Sequence, residues 1–321
     1  MTPLAVELRL RGPGGEPVDL WRTLVSHGFA DLAPMSLDEG ARTLDLTLRL
    51  PRGKPRRIRI GAGRRNHARI ELLGGGAASD GVRDAVARGA AHVLRLDQDL
   101  SGFYVYAAED PDLAWAALGA GRMLRSPTVW EDLVKTLCTT NCSWGLTTIM
   151  VHALVRELGE PSVGFAGEPL ANAFPTPQAM AGRDERFYRE TVRSGYRAPH
   201  MVRLSTMVAD GEIDLERLAA ETREELPDED VEELLLSLPG IGPYAAAHVM
   251  MTLGRNSRLI LDSWTRPTYA RAAGRTKIPP DAAIERRFRR YGPDAGLAFW
   301  LYVTKHWVDE GASSEGGARK D

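Results

Sequence analysis

The chain is 321 residues long, 43% hydrophobic and 26% charged, with a net charge of −2; such a length fits two or three packed subdomains, and the composition is that of a globular rather than a disordered protein. Two cysteines exclude a disulfide scaffold, a four-cysteine zinc site and a four-cysteine iron–sulfur cluster. No apolar run approaches the ~20 residues that span a bilayer, and the N-terminus lacks the charged-then-apolar order of a secretion signal, so a cytoplasmic protein with no membrane contact is expected.

Residues 1–117 read as an α+β domain with an antiparallel sheet. Residues 18–27 are a short helix candidate. Residues 43–50 alternate Leu-Asp-Leu-Thr-Leu-Arg-Leu, the period of a half-buried strand. Residues 57–60, 68–73 and 102–106 are read as further strands, with Gly-rich turns between the first of them. Residues 52–69 carry eight Arg or Lys and no acid. From 118 to 308 the period becomes helical. Thr128-x-x-Glu131 is a capping box, after which Trp130, Leu133, Val134, Leu137 and Cys138 share one helix face. Leu146, Ile149, Met150, Ala153 and Leu154 form a second face, ended by Gly159. Pro177 opens a short helix, and further helices are expected near 185–194, 197–210 and 214–222. Lys135 and Lys305 are expected on solvated helix faces. A second basic stretch, residues 271–290, holds seven bases against Asp281 and Glu285. Residues 309–321 are polar and are read as a flexible tail.

The informative stretch begins at residue 234. Asp228 is expected to cap a helix through Val231, Leu234 and Leu235. That helix breaks at Leu238-Pro239-Gly240-Ile241-Gly242, and Pro243 starts the next one, which Gly254 ends. Two glycines around one aliphatic residue make a tight bend. They can take φ > 0 and leave backbone amides uncovered, while Ile241 anchors the bend in the core. Uncovered amides beside a helix N-terminus seat a phosphate, a contact that positions DNA without reading bases. Twenty residues after Gly242 stands Asp262, directly after the apolar run Leu259-Ile260-Leu261. A carboxylate there can cap the next helix while facing a cleft.

Leu238-Pro-Gly-Ile-Gly-Pro-Tyr-Ala-Ala, the 20-residue gap and Leu261-Asp262 resemble the helix-hairpin-helix DNA glycosylase superfamily. The segment Trp130–Trp144, with Cys138-Thr-Thr-Asn-Cys142, is closest to the first helices of the 8-oxoguanine enzymes. Phe174-Pro-Thr-Pro, Gly195-Tyr-Arg-Ala and Tyr291-Gly-Pro-Asp also fall in family order. The resemblance implies a mainly α fold, helical subdomains flanking a cleft, with an N-terminal α+β domain like that of the 8-oxoguanine and bacterial 3-methyladenine enzymes. It implies that Asp262 is the catalytic aspartate and that Pro239, Gly240, Ile241 and Gly242 form the DNA-binding hairpin. Relatives often hold a monovalent cation (K or Na) there, which the backbone of Leu238 and Gly240 would bind here. No other cofactor is implied. Asn141 falls near the position facing the orphaned opposite base, and Cys142 beside that of the wedge. Members that also cleave the strand carry a nucleophilic lysine two residues after the second hairpin glycine. Here that residue is Tyr244, and a phenol forms no Schiff base.

The expected partner is therefore damaged double-stranded DNA, bound by a monomer that removes a base and leaves an abasic site. Cleavage of the N-glycosidic bond builds positive charge on the sugar, which a carboxylate stabilises. An alkylated purine is itself cationic, so aromatic faces suit it. Tyr244, Trp144 and Trp264 are the candidate faces, with His248 one helical turn beyond Tyr244; Trp300 and Trp307 are read mainly as core. An 8-oxoguanine-type glycosylase/lyase and a non-catalytic DNA-binding protein are the alternatives.

Overall fold

The structure is a computed structural model that describes residues 4–75 and 79–307; the expected tail at 309–321 lies outside them. The N-terminal sheet has five antiparallel strands in the order β1-β5-β4-β3-β2: β1 Ala5–Arg9, β2 Ser36–Asp38, β3 Thr43–Leu48, β4 Arg56–Ala62 and β5 His67–Leu72. Its register sets Leu44 and Leu46 beside Ile60 and Ile58, and these beside Ile70 and Leu72. Those side chains are all buried and form one apolar face. Helix α1 (Leu20–Leu24), capped by Asp19, precedes β2, and α2 (Asp80–Val93) covers the sheet with Val86, Ala90 and Val93.

The chain then enters α3 (Ser101–Glu109), which corrects the strand expected at 102–106. Phe103, Tyr104 and Ala107 are buried at helical spacing, and the aromatic-rich sequence follows that packing rather than its strand propensity. The helical body follows: α4 (Val129–Thr139), α5 (Trp144–Leu158), α6 (Pro177–Ala181), α7 (Glu185–Glu190), α8 (Ala198–Ala209), α9 (Arg217–Ala220), α10 (Asp228–Ser237), α11 (Pro243–Thr252), α12 (Thr265–Ala272), α13 (Asp281–Phe288) and α14 (Ala295–Thr304). Thr128 caps α4 through its hydroxyl, as the capping box requires. Asp228 does not cap α10. Pro227 holds that position, and the Asp228 carboxylate pairs instead with Arg255 at 3.0 Å and Arg223 at 3.3 Å.

Three apolar cores result. One belongs to the sheet with α2, and one to α4–α11. The third joins α12–α14 to residues 100–123, so α3 shares its core with the C-terminal helices, not with the sheet. Phe29, Leu32 and Ala33, which follow α1, insert into the second core. Among the described residues no helix is long and apolar enough to cross a membrane.

Candidate active site and DNA interface

The bend between α10 and α11 takes its shape from one glycine. Gly240 lies at φ +79°, and a Cβ there would stand 2.9 Å from both His200 and Leu137. Gly242 lies at φ −104°, ordinary extended backbone, which corrects the expectation of two left-handed glycines. A Cβ on Gly242 would meet open space, so that residue keeps the outer side of the bend uncovered. Ile241 is buried and its amide donates to the Leu238 carbonyl at 3.2 Å, closing the turn. Pro243, first in α11, has no amide to leave unpaired.

Tyr244 sits in the first turn of α11, half-buried against both the second and third cores. The Thr139 hydroxyl gives its proton to the Thr136 carbonyl (2.7 Å), so it accepts from the Tyr244 phenol at 3.1 Å. Burial pushes that phenol up to about 12, with the Asp262 carboxylate and the Cys142 thiol adding to the rise. Their influence puts the first turn of α11, the α4–α5 connection and the residues before α12 around one phenol.

Asp262 is half-buried. Its Oδ1 accepts from the amides of Trp264 (2.8 Å) and Thr265 (2.6 Å), while the Thr265 hydroxyl accepts from the Asp262 amide (2.9 Å). This reciprocal pair is a capping box that fixes the carboxylate. Oδ2 has no hydrogen-bond partner among the described residues. Trp264 stands two residues on, its ring 6.1 Å from Trp300 and 5.4 Å from Trp307.

His248 lies beside Tyr244, ring centroids 6.2 Å apart, but it is buried and serves as a wall behind the phenol rather than an open lining. Phe29 (4.8 Å) and His27 (5.6 Å) pack on it from the N-terminal domain. The Thr136 hydroxyl donates to the Asp132 carbonyl and therefore accepts from His248 Nδ1 at 3.2 Å, leaving Nε2 as the acceptor of a neutral ring. Burial lowers His248 to about 3 and His27 to about 4, so neither is charged at neutral pH. Trp144 closes the same side: a Cβ on Gly28 would stand 2.7 Å from its ring. The sequence reading missed His27, Gly28 and Phe29. Their short apolar segment carries no periodic signal, and only the fold brings it to α11.

Asn141 is exposed at φ +46°, and its amide nitrogen donates to the Tyr196 hydroxyl at 3.2 Å. The Cys142 thiol turns inward to the Cys138 carbonyl at 3.1 Å, so it does not project as a wedge. The large side chain that does stand out is Tyr196, 49% exposed beneath the Arg197 guanidinium at 4.6 Å. Gly195-Tyr-Arg-Ala was legible as a motif, but not that its tyrosine reaches the Thr140–Asn141 turn. Lys135 corrects another expectation: it is fully buried and paired with Glu131 at 2.6 Å. The basic run at 52–69 is divided, with Arg52, Lys54, Arg64 and Arg65 exposed and the other four engaged within the domain. Arg56 and Arg57 are buried on carbonyls of Gly75 and Pro34, Arg59 pairs with Asp45, and Arg69 with Glu71.

No protein-family model matches the sequence. A probable N-glycosylase/DNA lyase of Methanothermobacter thermautotrophicus is 25% identical over 237 residues, which span 67% of this chain and 72% of that protein. Among solved structures, MBOgg1 in complex with a low-affinity DNA ligand superposes with a TM-score of 0.70 at 18% identity, covering 96% of this chain and all of that one. The 3-methyladenine DNA-glycosylase of Archaeoglobus fulgidus gives 0.69 at 19% identity over 95% and 99% of the two chains. The 8-oxoguanine glycosylase/lyase of Clostridium acetobutylicum, bound to duplex DNA, gives 0.62 at 17% over 82% and 88%. The chain shares its fold nearly end to end with these structures, and its motifs stand in the order that resembles the helix-hairpin-helix DNA glycosylases.

Proposed function

We propose that the protein is a monofunctional DNA glycosylase that extrudes an alkylated purine from duplex DNA and hydrolyses its N-glycosidic bond. The observation that carries the reading is Tyr244 standing within electrostatic reach of Asp262. The carboxylate is held by two amides with one oxygen left over, beside a phenol where a strand-cleaving relative needs an amine. Leaving of the base places positive charge on the sugar. Oδ2 of Asp262 faces that charge and orients the attacking water, and because the carboxylate is fixed beforehand it needs no reorganisation at the transition state. Tyr244 keeps its proton, donated to Thr139, so it presents an aromatic face and an oxygen acceptor. The neutral His27 and His248 put no positive charge nearby. Aromatic faces backed by neutral histidines suit a base that is itself cationic, an attraction of about 1–2 kcal/mol once desolvated. Extrusion costs a few kcal/mol, less for a damaged pair. Tyr196, rather than Cys142, fills the gap left in the stack, with Asn141 beside the orphaned base. The hairpin amides hold the backbone. The Gly240 carbonyl accepts no hydrogen bond among the described residues and that of Leu238 accepts only one, so both retain lone pairs for a monovalent cation whose charge would reinforce the phosphate seat.

The second reading, a glycosylase/lyase, has the names of the Methanothermobacter and Clostridium proteins in its favour. Against it, Tyr244 offers no amine and Lys135 is sealed in an ion pair. The deciding experiment incubates the protein with duplexes carrying alkylated or oxidised purines and compares strand scission with and without hot alkali. The monofunctional reading expects scission only after alkali. Nicks formed before alkali reject it.

A further inference from the structure

The fold divides the seven bases between residues 271 and 290 into two sets. Arg287 pairs with Asp112 at 2.6 Å and lies 4.2 Å over the Tyr302 ring, and Arg290 is tied to Asp110 and Tyr291. Arg271, Arg275, Lys277, Arg286 and Arg289 are exposed, and none forms an ion pair among the described residues. Asp281, one of the two acids in the stretch, is withdrawn by a two-pronged pair with Arg266, both contacts 2.8 Å.

That pair also fixes where the cations stand. Arg266 is in the first turn of α12, four residues after Asp262, whose charge reaches its guanidinium. Asp281 opens α13. The connection 273–280 is therefore stapled at its exit to the same end of α12 that carries the Asp262 turn. It reverses at Gly274, φ +63°, where the Arg275 amide donates to the Ala270 carbonyl at 2.8 Å, and Pro279-Pro280 stiffen its exit. Its outer side shows Arg275, Lys277 and Ile278, the last 53% exposed. Eight residues of α12 span about 12 Å, which is about three to four base steps along a duplex.

We propose that Arg271, Arg275 and Lys277 form a second phosphate-binding surface, which grips the duplex some three to four base pairs from the extruded nucleotide while the hairpin grips close to it. The inference rests on the glycosylase reading and adds to it a backbone contact on the far side of Asp262. Like charges gathered without acids repel one another, and a polyanion that covers them relieves this and releases its own counterions. Such a contact has no sequence preference, and Ile278 between the cations suits the apolar edge of a sugar.

The test is binding to an undamaged duplex of about 20 base pairs, measured from low to moderate salt, where each neutralised phosphate contributes about 0.9 to the slope of log affinity against log salt. The triple variant Arg271→Gln, Arg275→Gln, Lys277→Gln is expected to lose about 2–3 from the wild-type slope. The comparison variant Arg52→Gln, Lys54→Gln, Arg65→Gln removes three exposed cations from turns of the sheet and is expected to keep the wild-type slope. An unchanged slope in the first variant, or equal losses in both, overturns the proposal. A wild-type protein with no salt-dependent duplex binding sinks the glycosylase reading itself, and this surface with it.

Discussion

Asp262 is a structural cap and the proposed catalytic carboxylate at once, and the two roles are separable because Oδ1 serves the cap while Oδ2 is left over. Asp262→Asn keeps an oxygen for both amides but removes the charge. Excision under single-turnover conditions should fall by about 100- to 1,000-fold with the melting temperature held, whereas Asp262→Ala should also lose about 1 kcal/mol of cap. Equal excision by the Asn variant and the wild type would show that Asp262 is not catalytic. The buried histidines predict a pH window. His27 and His248 sit near 4 and 3 in the folded state against 6.5 when unfolded, and His92 is also lowered to about 4. Between pH 6.5 and these values the unfolded chain binds protons that the folded one refuses. Stability is thus full above pH 6.5 and is lost as pH falls toward 4. Asp132, pushed up to about 6 by burial, acts in the opposite sense over the lower part of that window, as do Glu131, Glu216 and Asp294, which burial also raises. The melting temperature should drop from pH 7 to pH 5. In His27→Gln, where an amide nitrogen can still donate to the Leu124 carbonyl, the drop should be shallower. A melting temperature flat across that range contradicts the linkage.

At the scale of elements, the hairpin separates fold from function glycine by glycine. Gly240→Ala forces a side chain into φ +79° against His200 and Leu137, which should cost at least about 1–2 kcal/mol and lower the denaturation midpoint. Gly242→Ala meets no protein atom and has an ordinary φ, so stability should hold while the added methyl stands where a phosphate would approach. Duplex affinity should then weaken without a change in melting temperature. Loss of stability in Gly242→Ala would remove the bend from the interface. The legibility of the chain follows the same line between local and distant causes. The hairpin, the capping box at Thr128 and strands β3–β5 were readable because each is fixed by neighbours in sequence. Strands β1 and β2 are edge strands, short or weakly alternating, and were not seen. Helix α2 was passed over because its buried face is Val86, Ala90 and Val93, too small to make a strong stripe. Helix α3 was misread because a run of Phe, Tyr, Val and Tyr favours strands until a partner core selects the helix. Of the site, Asp262, Tyr244 and the hairpin were legible, while His27, Phe29 and Tyr196 reach it only by long-range packing.

At the scale of the whole molecule, the N-terminal domain holds the helix on which the proposed chemistry depends. Helix α11 has the hairpin and Tyr244 at one end. At the other, the carbonyls of Thr252 and Leu253 accept from the guanidinium of Arg95, which comes from the N-terminal domain and is buried. Gly254 at φ +79° has no side chain because the Arg95 guanidinium occupies that space. A cation at a helix C-terminus complements its dipole and satisfies carbonyls that no backbone amide reaches. Together with Phe29 and His27 packed on His248, this fixes α11 along its axis, and with it the bend proposed to meet DNA and the phenol near Asp262. Arg95→Met leaves two buried carbonyls unpaired and should cost about 2–4 kcal/mol. Arg95→Lys offers a single point of donation where a planar fork serves two acceptors, and should recover only part of that loss. Amide hydrogen exchange makes the argument specific. In Arg95→Lys the last turn of α11 should lose protection while the interior of the five-stranded sheet keeps it. If protection falls equally in both, Arg95 supports the fold at large and has no particular hold on the helix.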